Sequence, residues 1–590
     1  MATKGTAEAS PIISEEFKAA VDQVEQFLRA NLPDVADVSA EALSKYRDQG
    51  QVFIQGWEFA ADFDGARIDL RVLADQNFPF SPVRIGIAPP HEYSFAHLEA
   101  GSLLCLDPEQ SVCWDRPSEA VGELLSQAAE VIRSGLSTDG TDDETRREIL
   151  AYWDKSEGNK RAKGLLAPDG QARMAHMVRY NRQIIISDNR NEAKSFIAAS
   201  GAKLKPTHFG EKVPLLWLKR PPANSQLPST VASFVRLVFD EAVAGVDLLE
   251  QHLMSSKGRN TVVLAFADDQ GVGFIGVEFP KVRFQNNAPR TLAFILDADK
   301  SKEIERISIR REDADWVFGR DQNEDLDELR TANIAMIGVG SVGSYVALSL
   351  ASSGVGRIEL IDPQIIMPEN TSRHVLGADC VGMAKSEALA QRLRSQFKVS
   401  EFASFVGSWQ SWVASEKTDL CSYDLVISTI GDWPSEAHLA SHIHRNDKEI
   451  PTLFAWLEPK AIGSQAVFLP TKSPCFFCGF TSNGAPIKEI TSWASSTRKQ
   501  TPLCGGHFQS YGANALMAHS SQIAAQAIKA ILGKLESATC SFQSVGSPVC
   551  EGGEWSEWWA GLHNGTVSET SRIELPWEAA KSCGNCGDKV

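Results

Sequence analysis

Residues 331 to 362 read TANIAMIGVGSVGSYVALSLASSGVGRIELID. An apolar strand runs into Gly338, Gly340 and Gly343, a helix of small residues follows, and a second strand ends at Asp362. Glycines let a backbone turn sharply and approach phosphate, a helix N-terminus presents N–H groups and positive dipole, and an acid about 20 residues on can hold ribose hydroxyls. The spacing therefore predicts a nucleotide-binding βαβ unit. Taken alone, it suits a dinucleotide dehydrogenase.

A chain of 590 residues exceeds one ordinary core, so several domains are expected. The net charge of -17 argues against a general nucleic-acid or membrane-surface binder and favours protein or small-molecule partners. The opening MATKGTAEASPIISEE lacks the apolar centre of a signal peptide, and no apolar run of about 20 residues follows, so a cytoplasmic location is expected. Four of the 11 cysteines form two C-x-x-C pairs, which points to metal or thiol chemistry rather than disulfides.

Residues 14–31 predict an amphipathic helix, and Val52 to Phe59 and Arg67 to Val72 alternate as strands do. An N-terminal α+β domain is expected over 1–155. The polar runs SGLSTDGTDDETRRE and KSEGNKRAKGLLAPDGQA mark its end. A connecting domain of mixed α/β character, with strands at Val213 to Leu218 and Thr261 to Ala267 and no motif that assigns chemistry, is expected over 156–310. The α/β domain of the glycine loop occupies 311–590, its sheet extended by Leu425 to Thr429 and Gln465 to Leu469.

Beyond Asp362, the residues Asn370, Arg373 and Lys385 form a polar series that hydride transfer does not need. Arg and Lys can neutralise charge spread over phosphoryl oxygens, and Asn can orient one of them. A solvated helix start with ordinary basic residues is the other explanation. Farther on, Cys475-Phe-Phe-Cys478 and Cys583-Gly-Asn-Cys586 each present two thiolates from one tight loop, the pattern of a closed tetrahedral zinc site. A redox dithiol would not require a second pair.

Together the series GVGSVG, Asp362, Asn370-x-x-Arg373, Lys385 and the two cysteine pairs resembles the adenylation domain of ubiquitin-activating enzymes and their ThiF/MoeB-type relatives, a Rossmann-like fold with a zinc site. The resemblance implies Mg-ATP adenylation of the C-terminal carboxylate of a small protein, with pyrophosphate released. It implies ribose binding by Asp362, phosphate binding by Asn370, Arg373 and Lys385, and a homodimer. The family's Mg2+-binding aspartate maps to Asp432, although an ungapped match puts Gly431 there, and Arg320 is the nearest candidate for the family's arginine reaching across the dimer. RYNRQIII, from Arg179 to Ile186, resembles the family's usual opening but lies far too early and is treated as coincidence.

Two thiols are expected to react. The family places its first thioester cysteine on a loop corresponding to TPLCGGHFQ, which selects Cys504, with Cys550 in SPVCEGGEW as the rival. A thiolate is the attacking species, so a cation or helix N-terminus nearby would assist. In the N-terminal domain, Phe78-Pro-Phe-Ser-Pro82, Gly101-Ser-Leu-Leu-Cys105-Leu106 and Trp114 resemble ubiquitin-conjugating enzymes, in which Cys105 would carry the thioester. The family's histidine-proline-asparagine signature is missing, and His97-Leu-Glu99 stands near its place; its asparagine steadies an oxyanion, so either another donor such as His97 substitutes or aminolysis is organised differently. Cys113 is taken as structural.

An activating domain fused behind a conjugating domain resembles the bacterial fusion enzymes of cyclic-oligonucleotide antiphage defence (CBASS) systems. That resemblance implies a relay from adenylate to Cys504 to Cys105 to a target amine, with the system's cyclic-oligonucleotide synthase as the protein attached. A sulfur-carrier adenylyltransferase whose N-terminal domain only docks the carrier, and a non-catalytic ATP-sensing scaffold, remain the alternatives.

Overall fold

The computed structural model describes residues 14–46, 52–91, 93, 95, 97–98, 102–106, 114–136, 145–154, 159–199, 211–256, 258–269, 271–281, 302–416, 418–500, 507–581 and 583–587. The chain divides into two compact units: residues 1–162, 169–175 and 212–310, and residues 163–168, 176–211 and 311–590. Among the described residues, no helix is long and apolar enough to cross a membrane.

The first unit opens with the helix Glu15–Asn31, whose start is fixed by the Ser14 hydroxyl accepting the Phe17 N–H at 3.1 Å. Phe17, Ala20, Val24 and Leu28 recur at helical spacing and are all buried. They pack with Trp57, Val72 and Ile85 of an antiparallel sheet ordered Ala36–Asp37, Phe53–Phe63, Ala66–Asp75, Arg84–Ile87. The long hairpin turns at Asp64 and Gly65, both at positive φ, as a two-residue turn between twisted strands requires. The helix Pro117–Leu136 adds Val121, Leu124, Ala128 and Ile132 to the same core. Each large side chain removed from water there contributes about 1.5–3 kcal/mol.

A second core in this unit lies on the hairpin Asn260–Asp268 and Gly271–Phe279. Residues 263–265 also pair in parallel with 215–217, and the helices Val231–Glu241 and Val246–Ser255 supply Phe234, Val238 and Leu249. Trp153, from the short helix Ile149–Asp154, is buried in this core and donates its indole N–H to the Ile307 carbonyl at 3.0 Å.

The second unit is built on an eight-stranded sheet. Five parallel strands run in the spatial order Glu401–Phe405, Arg357–Ile361, Asn333–Ile337, Leu425–Ser428, Thr452–Leu457, and three antiparallel strands, Gly463–Leu469, Thr539–Val545 and Thr570–Pro576, complete it. The strand order reverses between Asn333–Ile337 and Leu425–Ser428, and ligand crevices form at the carboxyl ends of strands at such a point. The strands read as apolar runs because helices cover both faces: Ser341–Ser352 and Ala513–Ile531 on one core, Trp409–Glu416 and Trp433–Arg445 beside the other.

The RYNRQIII segment belongs to this second unit. It forms the tip of a hairpin in which residues 176–180 pair with Gln183–Ser187, turning at Asn181 and Arg182, both at positive φ. A short helix, Leu326–Thr331, precedes the strand that leads into the glycine loop.

Candidate functional sites

The glycine loop leaves the strand Asn333–Ile337 at Gly338, which sits at φ +85 and donates its N–H to the Ile361 carbonyl. A Cβ built on Gly343 would overlap the Gly338 carbonyl oxygen and Thr429 Oγ1, so only glycine lets the helix start this close to the loop. Gly340 caps that helix and faces open space. Two buried side chains grip Val339 between them. Asp362, 5 % exposed, accepts the Val339 N–H at 2.9 Å and the Gln364 N–H at 2.8 Å. His374 meets the Val339 carbonyl through Nε2 at 2.8 Å while its Nδ1 accepts the Leu376 N–H, a pattern that requires the neutral Nε2–H tautomer. Burial lowers the His374 pKa and favours that neutral form.

A cavity of about 790 Å³ opens beside the loop. Its wall includes Gly340, Ser341, Arg373, Thr429, Gly431 and Glu436, with Trp433, Trp456 and Phe480 forming an aromatic stretch. Arg373 is held by the Gln509 carbonyl at 2.9 Å and by the Tyr511 ring, and Tyr511 is in turn 2.9 Å from the Ser341 hydroxyl. A guanidinium thus stands on the cavity wall near a helix N-terminus, where phosphate would be favoured.

The other predicted ligands do not line this cavity. Lys385 is buried and donates to Gln364 Oε1 at 2.6 Å, and burial lowers its pKa. Asn370 uses its Oδ1 to accept the Met367 N–H. Asp432 is the N-cap of Trp433–Arg445, accepting the Ser435 N–H at 3.1 Å.

The carboxylate on the cavity wall is Glu436, which the sequence reasoning did not select. It is 4 % exposed, accepts the Ser428 hydroxyl at 3.0 Å and the Gly431 N–H at 3.3 Å, and its pKa is pushed up to about 7, chiefly by burial. A buried acid between a strand end and this cavity is placed to hold a divalent cation, whose charge would offset the desolvation. Arg320, exposed and left-handed at φ +50, ends the helix Ala314–Gly319 and is not on the cavity wall.

The two C-x-x-C pairs converge. Cys475 and Cys478 Sγ lie 3.9 Å apart, Cys475 and Cys583 3.6 Å, and Cys478 and Cys586 3.3 Å. A Zn–S bond of about 2.3 Å places the sulfurs of a tetrahedron roughly 3.8 Å apart, so the donor set fits zinc. Burial pushes the Cys475 and Cys478 thiols up, a cost that a bound cation removes.

Cys504, expected to react, and Cys113, taken as structural, both lie outside the described residues. Cys550 is exposed, within the short turn Pro548–Glu551. Cys105 is exposed as well, and its position is tightly specified. Leu103 and Leu104 are buried on either side of bridges to Gly86 and Leu98, and the Cys105 N–H donates to the His97 carbonyl at 2.7 Å. His97 adopts φ +63, and its Nδ1 is 3.0 Å from Glu148 Oε1. Downstream, Trp114 stacks on Phe80 of the proline turn, both rings exposed.

Residues 316–546 match the ThiF family, and residues 34–162 match the prokaryotic E2 family B. The chain therefore joins an E2-like domain to a ThiF-like domain in one polypeptide. An ATP-dependent ubiquitin transferase-like protein Cap2 of Escherichia coli is 22% identical over 510 residues, covering 77% of this chain and 84% of that protein. The Cap2 of Vibrio cholerae serotype O1 is 34% identical over 146 residues, about a quarter of either chain (24% of each). A tRNA threonylcarbamoyladenosine dehydratase of Haemophilus influenzae is 31% identical over 134 residues, 22% of this chain and 50% of that one. Among solved structures, E. coli MccB with MccA-N7isoASN is similar at 19% identity and a TM-score of 0.31, over 45% of this chain and 69% of that one.

Proposed function

We propose that the chain activates the C-terminal carboxylate of a partner protein with ATP and joins it to a target amine through two cysteines. The observation that carries this is the presence, on one chain, of a glycine-loop cavity within a ThiF-like segment and an exposed Cys105, its backbone N–H bonded to the His97 carbonyl, within an E2-like segment. A nucleotide-sensing scaffold has no use for the second.

In this mechanism the partner's carboxylate attacks the α-phosphorus of ATP at the Gly338 loop and pyrophosphate leaves. Gly340 and Arg373 face the phosphates, and Asp362 holds the loop while bordering the ribose site. Lys385 and Asn370 reach the phosphates after release from Gln364 and Met367. Mg2+ would be held by Glu436 with Asp432 and would supply neutralisation of phosphate charge. Cys504 attacks the carbonyl carbon of the acyl adenylate and AMP leaves, with Cys550 as the rival thiol. The acyl group then passes to Cys105, and an amine displaces the thiolate. Zinc at Cys475, Cys478, Cys583 and Cys586 is structural. A homodimer with Arg320 serving the neighbouring site, a cytoplasmic setting, and a cyclic-oligonucleotide synthase as the conjugated partner complete the proposal.

Mass spectrometry of covalent adducts from cells carrying this gene with its neighbours tests it. Amide-linked adducts that vanish in Cys105→Ala are expected. Adducts unaffected by that substitution would favour an adenylyltransferase whose N-terminal domain only docks a carrier.

A further inference from the structure

Near the predicted thioester cysteine, three side chains from separated parts of the chain converge. A ring nitrogen of His97, Cys105 Sγ and a carboxylate oxygen of Glu148 all lie within 4.8 Å of one another. His97 Nδ1 stands 3.0 Å from Glu148 Oε1, and both side chains are about one-third exposed, at 31% and 30%. Tyr152 braces the arrangement: its hydroxyl accepts the His97 backbone N–H at 3.1 Å and lies 3.2 Å from the Phe95 carbonyl and 3.4 Å from Glu148 Oε2. Tyr152 is carried by the helix Ile149–Asp154, which Trp153 anchors in the second core of the unit. The left-handed backbone at His97 is thereby held from two sides, by Tyr152 and by the Cys105 N–H.

We propose that His97, oriented by Glu148, is the general base for aminolysis of the Cys105 thioester. This rests on the conjugation function above and assigns to His97 a proton-transfer role rather than an oxyanion-donor role. In the neutral ring that directs Nδ1–H at Glu148, Nε2 is the nitrogen that can take a proton. The neutral amine attacks the thioester carbonyl carbon, and its N–H proton passes to Nε2. The C–S bond then breaks, and the imidazolium returns the proton to Cys105 Sγ, leaving an amide and a free thiol. Glu148 is a positioning residue that stabilises the transient imidazolium. Groups facing His97 include Glu148, Tyr152 and Cys105. Hydrogen bonding to His97 holds the Glu148 carboxyl below its usual range, while burial and then the Glu148 charge push Tyr152 up to about 12, so Tyr152 stays a neutral brace.

The test uses the full chain and needs no natural partner. Cys105 is acylated by exchange with an N-acetylglycine mesna thioester, and discharge to free lysine is followed at the Cys105 peptide by mass spectrometry from pH 5.5 to about 10. His97→Ala is expected to load normally but discharge about 100-fold more slowly near pH 7. Glu148→Gln is expected to discharge more slowly and to move the acid limb of the rate profile to lower pH, because a lost carboxylate partner disfavours imidazolium. A merely structural role would not move that limb. Equal discharge rates in wild type and His97→Ala, or a second zinc ion held by His97, Cys105 and Glu148 and lost in His97→Ala, would overturn the proposal while leaving conjugation intact. A wild-type Cys105 that loads but never transfers to lysine overturns the proposed function, and the base with it.

Discussion

The carboxylate of Asp362 accepts the backbone N–H of Val339 at 2.9 Å, tying the end of one strand to the glycine loop that follows another. Asp362→Ala removes a charge-assisted bond and leaves a buried N–H unpaired. A loss of about 1.5–3 kcal/mol is expected in denaturant unfolding, together with weaker ATP binding by calorimetry. Unchanged stability would show that the loop does not depend on this contact.

Two glycines of the same loop should respond differently. Gly343→Ala collides with the Gly338 carbonyl and Thr429 Oγ1, and about 1–3 kcal/mol of stability should be lost with nucleotide affinity. Gly340→Ala meets open space, so its stability should stay near wild type while ATP affinity falls. Equal unfolding midpoints for the two variants would contradict the packing described.

Glu436 titrates at about 7 when folded and near 4.5 otherwise. The folded state binds the extra proton, so this group's contribution to stability falls as pH rises from about 4.5 to 7. Glu436→Gln keeps an acceptor for Ser428 and Gly431 without the charge. The stability difference between variant and wild type should grow in the variant's favour across that window, to about 3 kcal/mol at most. Taking the difference cancels opposing groups such as His374. A difference independent of pH would place the titration elsewhere.

Chelation, or Cys583→Ser, should release a zinc ion and lower the thermal midpoint of the second unit. Atomic absorption alongside calorimetry reads both. Retention of zinc in Cys583→Ser would remove that residue from the ligand set.

What was legible in the chain is what chemistry imposes locally. The glycine loop is a backbone requirement written into neighbouring residues, and each C-x-x-C pair is one turn of chain presenting two sulfurs. The resemblance maps the Mg2+ acid to Asp432, yet a place between a strand and a helix also suits a helix cap, and the cap is what its carboxylate forms. Glu436 is one helical turn farther on, where spacing reads only as an ordinary helix residue. His374 and Glu148 have no local signature: each acts on a partner far along the chain, Val339 and His97, and folding alone brings the pairs together.

Conjugation through two thiols is tested most directly by partner-dependent ATP–pyrophosphate exchange measured with thiol-reducible adducts in three chains: wild type, Cys504→Ala and Cys105→Ala. Exchange should persist in all three. Cys504→Ala should form no reducible adduct, and Cys105→Ala should keep the first thioester and lose conjugates. Loss of exchange in a folded Cys504→Ala chain, or conjugates formed without Cys105, would contradict it.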